Sequence, residues 1–427
     1  MTNRRKIIEW AKTALIIVLT ITMVILGWQT QLFNDVAASI PLFGNAAETI
    51  DGNPAAALRG TIEMEAARPL VIVITHDSGE RFGAKYDTDI RNTVYDWTSG
   101  IIGEALGSAS DFLQVSQEKW REALSAPGVF FEYYSPVWLS VVNSWLGARL
   151  ANIEEDILLR RIFVAFGQDA NRIYLQDVQS GNYYAAETAS FARKAQELET
   201  LRGNEARFAF EIGTAGSQNA PYMLILPGVT HPIVAADSAG GSEEILYIVR
   251  NAFGHGRDTD RRYFDNDTLV SIGVNFNIRV MPCGTVMYRR TDRPAAYDIE
   301  LSDSQIIEQA RIAVGATIAR TSAGAEVFFE NIDFIDDDGS RIVNFGYYIA
   351  GGRIRLIDDM PAARFYVLGG VIMEAELRFR SFSVIGDEYV ELLPETLIMA
   401  AADGEFVLNF SDTGADKMTP VWVAFGS

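Results

Sequence analysis

Among 427 residues there is one cysteine, Cys283, and there are three histidines, His76, His231 and His255. A lone cysteine forbids an intramolecular disulfide, so the folded body must rest on packing. Set between Pro282 and Gly284, it reads as a small apolar filler. The histidines are scattered, none stands in H-x-x-x-H or H-E-x-x-H spacing, and Cys283 has no cysteine partner, which argues against zinc. His76 precedes Asp77 and Ser78, but neighbours on an extended strand face opposite ways, so the trio reads as a turn rather than a relay. No G-x-S-x-G elbow, Walker sequence or G-x-G-x-x-G opens a helix. No catalytic, cofactor-binding or metal-ligating residue is therefore assigned.

Positive charge is also scarce, with 36 Lys and Arg against 56 Asp and Glu and a net charge of −20. Phosphates would repel such a chain, which argues against nucleic acid. An acidic body of this kind also stands off anionic lipid. A hydrophobic content of 48% is ample for two or three packed domains and excludes wholesale disorder. Exported eukaryotic proteins commonly carry disulfides, so an exported chain without them points to a bacterial envelope.

What the chain does have is an uncharged run from Thr13 to Trp28. As a helix it spans ~24 Å, and adding Ile7 to Lys12, whose charges snorkel, brings it to the ~30 Å of a bilayer core. Trp10 and Trp28 then lie about 27 Å apart, at the two membrane interfaces. Arg4, Arg5, Lys6 and Lys12 precede the span and no Lys or Arg follows before Arg59, which places the N-terminus in the cytoplasm and the remainder outside. The competing reading is a signal peptide cut near Val36-Ala37-Ala38, although Ala38 lies well past the end of the run. Thr13, Thr20 and Gly27 recur at a spacing of seven and offer one small-residue side for contact with another membrane helix. Threonine bonded to its own backbone is the plainer account of the same residues.

These features divide the chain into a cytoplasmic start (1–12), an anchor (13–28) and an Ala-, Asn- and Gly-rich stalk (29–67). An α/β domain (68–155), a central β-rich domain (156–301) and a C-terminal helix-plus-sheet domain (302–427) follow. The expected class is α+β, a transmembrane helix followed by a multidomain exterior of mostly antiparallel sheets with packed helices.

In the first domain, the apolar run after Arg68 predicts a buried strand. A helix is expected over 87–106, with Ile90, Val94, Trp97, Ile101 and Leu106 on its inner face. Strands at 112–115 and 129–134 and helices at 116–124 and 136–146 complete it. The central domain reads as a meander over 157–166, 172–178 and 183–184, followed by a helix carrying Phe191, Ala195, Leu198 and Leu201. Strands are then expected at 205–212, 222–226, 269–280 and 285–290, with a helix at 243–253. Between these elements, Asp258, Asp260, Asp265 and Asp267 alternate with Arg257, Arg261 and Arg262. A calcium loop would need a distal Glu and fewer neutralising arginines, so this stretch reads as a solvated loop, with partner contact the next reading. In the last domain, Ser302 and Gln305 form a capping box ahead of the stripe Ile307, Ala310, Val314 and Ile318. Strands at 325–334 and 341–349 are joined through 336–338 as a hairpin tip. Ala375, Leu377 and Phe379 alternate with charged neighbours, and strands at 405–410 and 420–425 close the sheet.

The single span ending in Gly-Trp-Gln, the segment Glu104 to Ala109, Trp120 to Phe131, Pro136 to Gly147 and Arg161 to Tyr184 together resemble the YycH regulatory proteins of Gram-positive bacteria. The last third, with Leu392-Leu393-Pro394 and the terminal Thr419-Pro420-Val421-Trp422, is also similar to the related YycI proteins. The resemblance implies a mostly β exterior without catalytic residues and regulation of a WalK-like sensor histidine kinase together with a YycI-like companion, linked to the cell wall. It transfers no residue-level site. Two rivals remain: an envelope binding or inhibitor-like module of sporulation or germination, and a carbohydrate-active envelope hydrolase whose paired carboxylates a sequence cannot reveal.

Overall fold

The computed structural model describes residues 66–148, 156–167, 170–189, 198, 200–213, 216–238, 240–256, 258–293, 300–335, 339–401, 404–414 and 416–424. Trp10, Thr13, Thr20, Gly27 and Trp28, together with most of the helix expected after Phe191 and the 336–338 tip, lie outside the described residues. No helix among the described residues is long and apolar enough to cross a membrane.

The architecture is α+β with mostly antiparallel sheets. The first sheet contains β1 (Val71–Thr75), β2 (Arg81–Ala84), β3 (Leu113–Val115), β4 (Gly128–Trp138), β5 (Leu158–Ala165), β6 (Asn171–Asp177) and β7 (Tyr183–Thr188), in the order β2-β1-β4-β5-β6-β7-β3. Helix α1 (Thr88–Gly107) packs on β1, β5 and β6. Its N-terminus is closed by Asp87, which accepts the Ile90 amide at 2.9 Å. The buried stripe of α1 runs through Arg91, Val94, Tyr95, Thr98, Ile101, Ile102 and Ala105. It is rotated from the expected face, leaving Ile90 and Trp97 about half exposed. Arg91 turns inward because Tyr134 and Glu326 bind its guanidinium, and that rotation carries Ile90 and Trp97 outward.

Helices α2 (Gln117–Ala123) and α3 (Leu139–Trp145) follow. Ser116 caps α2 alone, accepting the Lys119 amide at 3.3 Å. Residues 136–138, expected to open α3, instead extend β4, which pairs with β5 as far as Trp138. The strand expected over 205–212 contracts to β8 (Arg207–Phe208), paired with β9 (Leu224–Ile225) and followed by a 3-10 turn. Helix α4 (Gly216–Asn219) lies between them.

Strand β10 (His231–Ser238) leads to α5 (Ser242–Ala252) and then to a meander of β11 (Arg261–Asp265), β12 (Thr268–Ile272), β13 (Phe276–Val280) and β14 (Thr285–Arg290). The single strand expected over 269–280 is thus two, folded back at Gly273. The stretch expected to be a solvated loop contains a strand, β11, paired through all five residues with β12. Cys283 lies exposed in the β13–β14 turn rather than filling a core space.

Helix α6 (Asp303–Ala316) begins at the Ser302–Gln305 capping box and buries Ile307, Ala310 and Val314, with Ile318 buried just beyond it. Strands β15 (Glu326–Phe334), β16 (Arg341–Ile349), β17 (Gly352–Arg355), β18 (Ala363–Leu368), β19 (Val371–Arg378), β20 (Arg380–Val390), helix α7 (Glu395–Ala401), and β21 (Phe406–Ser411), β22 (Lys417–Met418) and β23 (Pro420–Ala424) complete the chain. An eleven-stranded sheet runs β11-β12-β13-β14-β19-β18-β16-β17-β21-β23, with β15 added beside β16, and a three-stranded sheet runs β20-β10-β22. The β17–β21 pair is parallel.

The sheets do not stop at the boundaries expected at 156 and 302. Strands β5 to β7 lie after 156 yet pair into the first sheet, and β14 pairs with β19 across 302. One continuous apolar cluster accordingly extends from Ala67 to Met418.

Candidate functional site

Four buried ionic joints hold the N-terminal sheet against the rest of the chain. Nearest the start, Arg81 of β2 donates to Glu211 at 2.6 Å, and its guanidinium covers the Phe208 ring. Lys85, just past β2, lies 2.9 Å from the Glu395 carboxylate at the head of α7. That carboxylate also accepts the Tyr86 hydroxyl and, at 2.7 Å, the Leu226 amide. Arg91 of α1 reaches Glu326 of β15 and the Tyr134 hydroxyl of β4, and Tyr134 stacks on Phe328 with ring centres 4.1 Å apart. Arg160 and Arg161 of β5 converge on Glu132 of β4 and on Glu405, immediately before β21.

The electrostatics follow from this geometry. Burial alone would raise the Glu405 carboxyl, but the Arg161 and Arg160 guanidiniums outweigh it and hold the group at about 2. His231, packed edge-on against Tyr86 and Trp422 beside the Lys85–Glu395 pair, is lowered to about 4, chiefly by burial. Such joints contribute little net stability against apolar replacements, but breaking one leaves an uncompensated charge in the core. They therefore fix how the sheets sit on each other.

The three histidines stay apart. His76 is buried where β1 meets its turn, and the Gly79 amide donates to its carbonyl as the sequence expects. His255 stacks on Phe276, with Nδ1 2.8 Å from Asp258 and Nε2 3.2 Å from Tyr288, and burial lowers its pKa. No group of three or more His, Cys, Asp or Glu is placed to hold a metal among the described residues. Asp260, one of the four alternating aspartates, has its side chain largely covered. It binds Arg250 at 3.2 Å, Arg262 at 2.7 Å and the Ser271 hydroxyl at 2.6 Å.

Two surface features stand out. A polar cleft of about 410 Å³ is lined by Glu80, Arg81, Glu205, Arg207 and Glu211, the last already bound to Arg81 and to the Phe208 amide. At the far end of the large sheet, all of β11 is exposed, with Tyr263 and Phe264 at 40% and 65%.

Sequence reasoning did not find the joints, whose carboxylates beyond the N-terminal sheet lie 130 to 310 positions from their cations. A signal was nonetheless present. Glu132 interrupts the apolar run Phe130 to Tyr134, and Arg160-Arg161 interrupts Leu158 to Val164, so charges were written into strands otherwise built to be buried.

No protein-family model matches the sequence, and no curated protein matches it. Among solved structures, a protein from Eubacterium rectale superposes with a TM-score of 0.30 and 11% identity over 47% of this chain and 80% of that one, too little to bear on the fold. YycH from Bacillus subtilis superposes with a TM-score of 0.56 over 84% of this chain and 93% of that one, at 10% identity. The described residues thus have a YycH-like fold.

Proposed function

We propose that this chain is a membrane-anchored, extracytoplasmic regulator of a WalK-like sensor histidine kinase, linked to cell-wall homeostasis and working by contact rather than catalysis. The observation that carries the reading is the YycH-like fold over 84% of the chain, joined to an uncharged run at 13–28 with basic residues on its N-terminal side. The helix at 13–28 touches the kinase span through Thr13, Thr20 and Gly27, with Trp10 and Trp28 at the interfaces, and a YycI-like companion completes the assembly. Buried ionic joints suit this role. They let the sheets respond as one body to a load or ligand, and coupling through a helix bundle needs an exterior that biases one bundle state over another.

Purification of the full chain from native membranes in mild detergent tests the reading. Recovery of a sensor kinase or of a companion with a similar single span supports it, and isolation of the chain alone counts against it. The hydrolase rival would draw on the carboxylates of the polar cleft, so Glu80→Gln with Glu205→Gln leaves the cellular phenotype intact under the contact reading and abolishes it under the rival.

A further inference from the structure

We propose that β11 is a self-association edge, through which two copies of this chain join antiparallel about a two-fold axis at Tyr263. The inference is independent of the kinase reading. Strand β11 ends the eleven-stranded order, and no described residue pairs with its outer edge. Monomeric proteins blunt such edges with proline, bulges, short length, cover or charged side chains, and of these β11 has only charge, of both signs in Arg261, Arg262 and Asp265, which need not repel a second copy. The other edges of the larger sheets follow that rule: β3 has three residues, β22 has two, β23 opens on Pro420, β20 is bulged against β10, β15 is bulged against β16, and β2 is largely buried. Strand β11 pairs with β12 without a register shift, carries no proline and exposes two aromatic rings.

Its backbone fixes which amides are free. Asn266 and Asp267 form a two-residue left-handed turn, with φ of 46° and 66°, closing the pair Asp265–Thr268. In such a hairpin the closing pair is hydrogen-bonded and the bonding alternates along the strand. Asp265, Tyr263 and Arg261 therefore direct their backbone groups to Thr268, Val270 and Ile272, whereas Arg262 and Phe264 direct theirs outward.

Laid against a second copy with Tyr263 opposite Tyr263, each Arg262 faces the other copy's Phe264. Both are outward-facing positions, so the ladder closes with its bonds in phase. In the same register Arg261 meets Asp265 on the tyrosine face, while on the opposite face the Arg262 guanidinium stays with Asp260 and Glu243 of its own chain and only its aliphatic stem flanks the Phe264 ring. Moving the axis to Arg262 would set two guanidiniums against each other. The segment Arg-Arg-Tyr-Phe-Asp is thus complementary to its own reverse in the Arg261–Asp265 charges and in amide phase together, which is what selects a second copy over an unrelated strand.

Disulfide trapping on the full chain in lipid nanodiscs tests the proposal. Directly opposed non-hydrogen-bonded residues have Cα atoms about 4.5 Å apart, within disulfide reach. In a Cys283→Ser background, Tyr263→Cys should give a covalent dimer on mild oxidation, while the exposed control Leu113→Cys should not. Arg261→Asp or Asp265→Arg added singly should cut trapping about fivefold, and the two together should restore it. Trapping at 263 no greater than at 113, or insensitive to both charge reversals, would overturn the proposal. So would light scattering that finds the unsubstituted chain monomeric at every concentration.

Discussion

The Lys85 ammonium lies 2.9 Å from the Glu395 carboxylate, although 310 positions of chain separate the two residues. Both are sealed from water. The pair pins the end of β2 to the head of α7, so the first and last parts of the described residues are held together.

Removing the negative partner should therefore destabilise sharply. Glu395→Gln leaves Lys85 charged in the core, a loss of about 3–5 kcal/mol. Adding Lys85→Met should recover part of it. Denaturant midpoints of the single and double variants check this, and a silent Glu395→Gln would show the joint to be unimportant.

Gly351 tests the same seam from the other side. With Ala350 it makes the left-handed turn between β16 and β17, at φ of 48° and 71°, and a Cβ there would sit 2.6 Å from the Lys85 carbonyl oxygen. Gly351→Ala should cost at least about 1–3 kcal/mol, read as a lowered melting temperature. Gly315→Ala, in open space on α6, should not.

Acid should open the joint at β5. The Glu405 carboxyl is held at about 2, below its ordinary 4.5, so its contribution is complete above 4.5 and is lost as pH falls towards 2. Melting temperature measured across that window should fall less steeply in Glu405→Gln, which starts lower and has no such proton to take up.

A second pH window belongs to His231. Its pKa of about 4 lies below the ordinary 6.5, so the unfolded chain binds the proton first and stability declines as pH falls from 6.5 to 4. His231→Gln should flatten the profile there while leaving the lower window, set by Glu405, in place. An unchanged slope between 6.5 and 4 would show that the ring protonates without cost.

The local elements were legible wherever a period and a stop signal coincided. The Ser302 capping box and the stripe behind it gave α6, and strict alternation gave β19 with Ala375 and Leu377 inside. Failures came where a pairing partner, distant or adjacent, overrode the composition of the segment itself. Arg91 turned inward on α1 because Glu326 awaited it, and the aspartate-rich stretch became β11 because β12 offered a ladder to pair with. Sheet membership was illegible for a related reason: β14 pairs with β19 and β10 with β20 across segments that look self-contained in sequence. Trp10, Thr13, Thr20, Gly27 and Trp28 lie outside the described residues, so their proposed place in a membrane helix rests on the sequence pattern and is tested by the kinase experiments.

The most direct test of the central claim is the phosphorylation level of the response regulator served by the associated kinase, measured in cells carrying the chain, lacking it, or carrying it with residues 13–28 replaced by a polyleucine span. Contact regulation predicts a level that shifts on deletion, returns with the native chain and fails to return with the replaced span. A level identical in all three strains would contradict it.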